Sequence, residues 1–134
     1  MDEKKNVEST TEEVNLLDLL LSAKPPVLEK KVQMKRMSAE LGQPVVFTIK
    51  ALSYNVINEF VANKDESDLW TVLEGLVEPN LKDPRLLDKY GAATPIELLK
   101  DLRFIRPGEI TKLATEIHRL SGYSNDVFED IVKN

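Results

Sequence analysis

The first sustained apolar pattern along the chain is Val14, Leu16, Leu17, Leu19, Leu20 and Leu21. Ahead of it, Ser9 with Glu12 and Thr10 with Glu13 form two overlapping capping boxes, and Pro25-Pro26 closes it. A hydroxyl followed three residues later by a carboxylate satisfies the first free amides of a helix, and proline cannot continue one. The pattern predicts a helix to about Ala23, preceded by a frayed, charged stretch at residues 1–8. At about 100° per residue these apolar side chains cover an arc of about 220°, wider than the ~100° stripe that one docking surface requires.

From Leu28 to Met37 the pattern changes to loose alternation, with Val32 and Met34 on one face and Lys31, Gln33 and Lys35 on the other. Alternation of this kind marks a half-buried strand. A turn is predicted over Ser38 to Pro44, around Gly42, and a second strand follows at Val45 to Ile49 with Val45, Phe47 and Ile49 on one face. The two strands read as one antiparallel hairpin.

Helical spacing then takes over. Ser53 caps a helix with the stripe Val56, Ile57, Phe60 and Val61, and Asp65 or Ser67 caps another with Leu69, Leu73, Leu76 and Val77. Asp83-Pro84 opens a short helix through Tyr90 that Gly91 ends, and Thr94-Pro95-Ile96-Glu97 opens one presenting Ile96, Leu99 and Leu102. Asparagine, aspartate or threonine before a proline at the first helical position is a strong start signal, and glycine past the end a strong stop. Pro107-Gly108-Glu109 starts the best-specified helix, with Ile110, Leu113, Ile117 and Leu120 as its stripe and Gly122 as its stop. A last helix from about Asn125 carries Val127, Phe128, Ile131 and Val132.

These elements predict an α+β fold, predominantly α-helical. One N-terminal β-hairpin is followed by a compact array of about six helices, with the leucine-rich helix added in front. The division expected is a polar tail and leucine-rich helical arm at residues 1–26 and a single domain at 27–134.

Composition narrows the function. The chain has 134 residues, 42% hydrophobic and 31% charged, enough for one core that buries roughly 68% of the unfolded surface. Its apolar runs are far shorter than the ~20 residues that span a bilayer, so no membrane role is expected. Met1 to Glu13 lacks the apolar centre of a secretion signal, and the expected location is the cytoplasm. A net charge of −5 disfavours nucleic acid, whose affinity comes from neutralising phosphates.

No constellation for catalysis stands out, and no enzyme activity is expected. His118 is the one histidine and flanks the stripe of its helix, and there is no cysteine, so neither a metal nor another cofactor is expected. The five glycines, at 42, 75, 91, 108 and 122, form no phosphate-binding loop. Asp65, Glu66 and Asp68 precede a helix, where carboxylates favour the positive end of its dipole. Lys30, Lys31, Lys35 and Arg36 read as charges guarding an exposed edge strand. Trp70 flanks its stripe and is either a core anchor or an interface residue. The leucine helix either docks on its own domain or acts as an arm for a partner's groove or a second protomer. The candidate partner-binding residues are accordingly Leu16, Leu17, Leu20, Leu21 and Trp70.

Several boundary motifs occur in a familiar order: Leu73-Glu74-Gly75-Leu76-Val77-Glu78-Pro79-Asn80-Leu81, Tyr90-Gly91 with Thr94-Pro95, and Pro107-Gly108-Glu109-Ile110 with Leu120-Ser121-Gly122-Tyr123. Together with a hairpin ending in Ala51-Leu52-Ser53, they make residues 27–134 resemble the XkdN-like tail assembly chaperones of contractile-tailed phages and prophages of Gram-positive bacteria. The resemblance implies a cytoplasmic, non-catalytic protein that binds the tape measure protein, helps tail tube subunits gather on it, and is not expected in the mature virion; direct contact with the tail tube protein and a homo-oligomer are left open. It also implies that Val132-Lys133-Asn134 could be encoded by a slippery heptamer for a longer frameshifted product. The alternative reading is a small protein- or DNA-binding regulatory module of a prophage element.

Overall fold

The computed structural model describes residues 15–124 and 127–131. Seven α-helices and three strands occur among them: α1 Leu16–Ser22, β1 Glu29–Gln33, α2 Lys35–Leu41, β2 Val46–Lys50, α3 Tyr54–Val56, α4 Ser67–Gly75, β3 Leu76–Glu78, α5 Pro84–Tyr90, α6 Pro95–Leu99 and α7 Pro107–Leu120. A π-helical stretch, Ile57–Val61, continues α3. The architecture is α+β and mostly helical, as the sequence pattern implies. The proposed capping boxes at Ser9 to Glu13, the charged stretch 1–8, and Val14, Asn125 and Val132 to Asn134 lie outside the described residues.

The antiparallel pair is present, with Glu29 opposite Lys50, Lys31 opposite Thr48 and Gln33 opposite Val46. Its connection is not a turn but α2. Lysine, arginine, methionine, alanine, glutamate and leucine all favour helix, and Gly42 at φ 71 ends it in the left-handed region. The Ser38 hydroxyl donates to the Met34 carbonyl at 2.6 Å and accepts from the Val45 amide at 2.9 Å, tying the helix across to the start of β2. Lys35 therefore begins α2 and lies outside the strand expected there.

β2 is central, flanked by β1 and β3, and Phe47, Thr48 and Ile49 are all buried. β3 was expected to be the end of a helix. The spacing of Leu69, Leu73 and Leu76 suits a helix, but α4 stops at Gly75, Leu76 turns extended opposite Ile49, and Pro79 keeps the preceding residue extended. A Cβ on Gly75 would lie 2.7 Å from Ile117 Cδ1, so glycine lets α4 and α7 approach closely. Val72, Leu98, Leu99, Ile105 and Ile117 fill the centre between these helices and β2.

Other helix boundaries are as expected. Asp83 and Thr94 cap α5 and α6 by accepting from the Arg85 and Glu97 amides, and Gly91 ends α5 at φ 65. Glu109 accepts from the Arg106 amide at 2.9 Å at the start of α7. Four expectations fail. Phe60 is 46% exposed, because the π-helical turn rotates it away from buried Ile57 and Val61. Leu102 lies beyond the end of α6 and is exposed, while Leu98 takes the core position. The residue before α4 is Glu66, in the left-handed region with no side-chain cap, rather than Asp65 or Ser67. Finally, residues 127–131 form no helix, and Val127, Phe128 and Ile131 are exposed.

Candidate protein-binding surfaces

α1 is the most unusual element. Asn15 caps it by accepting from the Asp18 amide at 3.3 Å, and Ala23 leaves it in an extended conformation. Not one of its residues is buried, and Leu16, Leu17, Leu19, Leu20 and Leu21 are between 53% and 73% exposed. The linker Ala23-Lys24-Pro25-Pro26-Val27-Leu28 holds no glycine, asparagine or aspartate, and its prolines favour extended backbone. Nothing in that linker turns the helix back onto the chain's own core. The candidate residues Leu16, Leu17, Leu20 and Leu21 thus share one uncovered element.

Trp70 stands apart from them, on α4. It is half-buried outside the buried cluster, and the Lys64 ammonium sits 4.7 Å from its ring centroid. That contact shields one face of the indole with a cation that can move aside. The structure does not bring Trp70 together with the leucines through any hydrogen bond or ring contact among the described residues. The sequence reading also missed apolar positions: Leu41, Tyr54, Leu102, Tyr123, Val127, Phe128 and Ile131 are all exposed. For Phe128 and Ile131 a signal existed, since Asn125, Asp126, Glu129 and Asp130 leave only a thin apolar stripe.

The polar groups act as fasteners. Arg36 donates from Nε and Nη2 to the two oxygens of Glu109 at 2.9 Å each, from Nη2 to the Phe104 carbonyl, and from Nη1 to Glu40. It thereby joins α2 to the start of α7. Burial pushes the Glu109 carboxyl up, but the hydrogen bonds from Arg36 and the Arg106 amide outweigh it and hold the carboxyl below its ordinary value. Glu116 is lowered by its hydrogen bond from Lys30, and Asp83 is held down to about 2 by hydrogen bonds from Arg85. Each of these carboxylates is kept ionised by a cation, whereas a general acid at neutral pH needs the opposite shift.

His118 is half-buried, with Nε2 3.3 Å from the Thr71 hydroxyl and its ring edge-on to Tyr123. A groove of about 620 Å³ runs between β1, α2 and α7, floored by Val32, Met34, Ala39 and Leu113. It is an apolar channel crossed by the Arg36–Glu109 pair. Among the described residues no group of three or more histidine, cysteine, aspartate or glutamate side chains could hold a metal. Among them, too, no helix is long and apolar enough to cross a membrane.

Fold and surface together define a small helix-rich α+β protein that presents uncovered apolar segments. The chain belongs to the phage XkdN-like tail assembly chaperone family, whose pattern matches residues 17–134. The match begins inside α1, so part of the leucine helix falls within it. The fold is similar to the crystal structure of the protein yqbn, with a TM-score of 0.60 and 21% identity over 83% of this chain and 99% of that one. No curated protein matches the chain.

Proposed function

We propose that the chain is a non-catalytic tail assembly chaperone that binds the tape measure protein and helps tail tube subunits gather on it. It works in the host bacterial cytoplasm and is left out of the finished virion. Residues 1–26 act as the polar tail and leucine-rich arm, and residues 27–134 as the domain that carries it. The observation that supports this most is the row of leucines on α1, each more than half exposed on a helix that buries none of its residues. An apolar helix held out in water gains by lying against another apolar helix, at about 25 cal/mol per Å² covered. A long helical client with exposed apolar surface is the partner such an arm suits. Trp70 offers a second contact once Lys64 swings aside.

A DNA-binding regulatory module is the less favoured reading. On α7, Arg119 pairs with Glu116, which also accepts from Lys30 of β1 at 3.1 Å, so this part of the helix offers phosphates a cation already held by a carboxylate. Coexpression with the tape measure protein of the same genome tests the proposal. The expected outcome is a soluble complex that copurifies, with the client insoluble when expressed alone. A client that stays insoluble and fails to copurify rules the proposal out.

A further inference from the structure

β1 is an outer strand of the sheet, and one of its edges is open. The Ala51 amide donates to the Leu28 carbonyl and the Met34 amide to the Val45 carbonyl, each at 2.8 Å and in register with the β1–β2 ladder. Bonded residues alternate along an antiparallel ladder. Leu28, Lys30, Val32 and Met34 therefore turn their peptide groups toward β2, while Glu29, Lys31 and Gln33 turn theirs away. Among the described residues no strand meets that side. Lysines along such an edge normally discourage a further strand, but here they are drawn inward. Lys30 reaches Glu116 of α7 at 3.1 Å on one face of the sheet, and Lys31 leans over β2 to the Thr48 hydroxyl at 3.2 Å on the other. The outward peptide groups are left accessible.

Beside this edge lies the groove of about 620 Å³ between β1, α2 and α7. Arg36 with Glu109 spans it near one end and Lys30 with Glu116 near the other. Glu109 and Glu116 stand seven residues apart on α7, about 10 Å along its axis. Between them the floor is apolar: Val32, Met34 and Leu113. A strand laid on the open edge shares the faces of β1 and places every second side chain, about 7 Å apart, on the side of Val32 and Met34. Two successive side chains thus fall over the floor. Lys35 and Lys112 stand exposed at the rim, and neither has a carboxylate partner among the described residues. The nearby carboxylates, Glu109 and Glu116, are already held by Arg36 and Lys30, so the rim offers positive charge that nothing answers.

We propose that the open edge of β1 and this groove form a docking site for an extended segment of a partner protein, with apolar residues at every second position and carboxylates at its ends. The segment adds to the sheet as a further strand, bonding the peptide groups of Lys31 and Gln33. Its apolar side chains lie on Val32, Met34 and Leu113, and its carboxylates meet Lys35 and Lys112. The site goes beyond the client-binding reading of α1 and does not depend on it. It takes a strand where the arm takes a helix, so both can be occupied at once.

The test uses the full chain and three synthetic peptides of about nine residues. One alternates leucine with threonine and ends in aspartates, the second ends in lysines instead, and the third is the first with its internal amides N-methylated. Binding is read by fluorescence anisotropy and by hydrogen exchange at the Lys31 and Gln33 amides. The aspartate-ended peptide is expected to slow exchange at both at least about tenfold, with Val32, already bonded to β2, almost unchanged. The lysine-ended peptide is expected to bind about tenfold more weakly at low salt, with the gap closing as salt rises. Lys35→Glu with Lys112→Glu reverses that preference, and Ala39→Phe, which fills the wall of the groove, weakens binding about tenfold or more. All three positions are exposed, so unchanged circular dichroism confirms that these variants are folded. Leu17→Asp with Leu20→Asp is expected to bind the peptide as the wild type does. Equal affinity for the N-methylated peptide, binding that leaves Lys31 and Gln33 unprotected, or loss of binding in the α1 variant overturns the site. So does protection of the two amides that rises with chain concentration before any peptide is added, since the occupant is then a second copy. A failure here while the tape measure protein still copurifies leaves the client-binding proposal standing.

Discussion

Gly75 is the position where a single atom matters most. Its missing Cβ would sit 2.7 and 2.8 Å from Ile117 Cδ1 and Cγ2, and Ile117 is fully buried. Gly75→Ala is expected to cost about 1–3 kcal/mol by overpacking, even though alanine favours helix. Urea unfolding measures it, and adding Ile117→Val is expected to give less than the sum of the two single effects. At Arg36 the loss is of partners: Arg36→Ala leaves the half-buried Glu109 without two hydrogen bonds, at about 1–3 kcal/mol, and Arg36→Lys falls between because lysine cannot make both. Glu109, Glu116, Asp83 and Asp101 all have lowered carboxyl pKa values in the fold. Groups depressed in this way contribute stability above their unfolded value and lose it as pH falls through the folded one. With Asp83 at about 2, and unfolded carboxyls near 4, the urea midpoint is expected to fall between about pH 4 and pH 2. A midpoint that holds steady to pH 2 contradicts this account of the ion pairs.

Among elements, α1 separates stability from function. Its leucines are exposed and none is buried, so Leu17→Asp with Leu20→Asp is expected to leave the thermal midpoint almost unchanged, within about 0.5 kcal/mol, while abolishing copurification with the tape measure protein. A midpoint that drops sharply shows instead that the arm is part of the core. The boundaries of α5, α6 and α7 were legible because capping chemistry is local: Asp83, Thr94, Pro107 and Gly91 act within a few residues of themselves. What was not legible depends on distant partners. Leu76 satisfies helical spacing, yet Ile49 draws it into the sheet. The run Lys35 to Leu41 has both an alternating and a helical reading, and Ser38, bonded to Met34 and Val45, fixes the helical one. Phe128 and Ile131 have helical spacing and no surface to dock on. The leucines of the candidate site were visible from their wide arc alone, whereas the half-covered position of Trp70 under Lys64 was not.

At the scale of the molecule, an almost neutral body, residues 23–122, carries acidic extensions on either side, with the exposed leucines of α1 on the first and exposed Val127, Phe128 and Ile131 on the second. Such a division suits a chaperone: the body stays folded by its own core, and the extensions exchange water for client and back. A helix of seven residues is marginal without a partner surface. The most direct measurement is therefore hydrogen exchange at the amides of Leu17 to Ser22, with and without the tape measure protein. Free chain is expected to exchange there almost as fast as an unfolded peptide, and the complex at least about tenfold more slowly. Equal exchange in both states, with protection confined to other parts of the chain, contradicts the assignment of α1 as the client-binding arm.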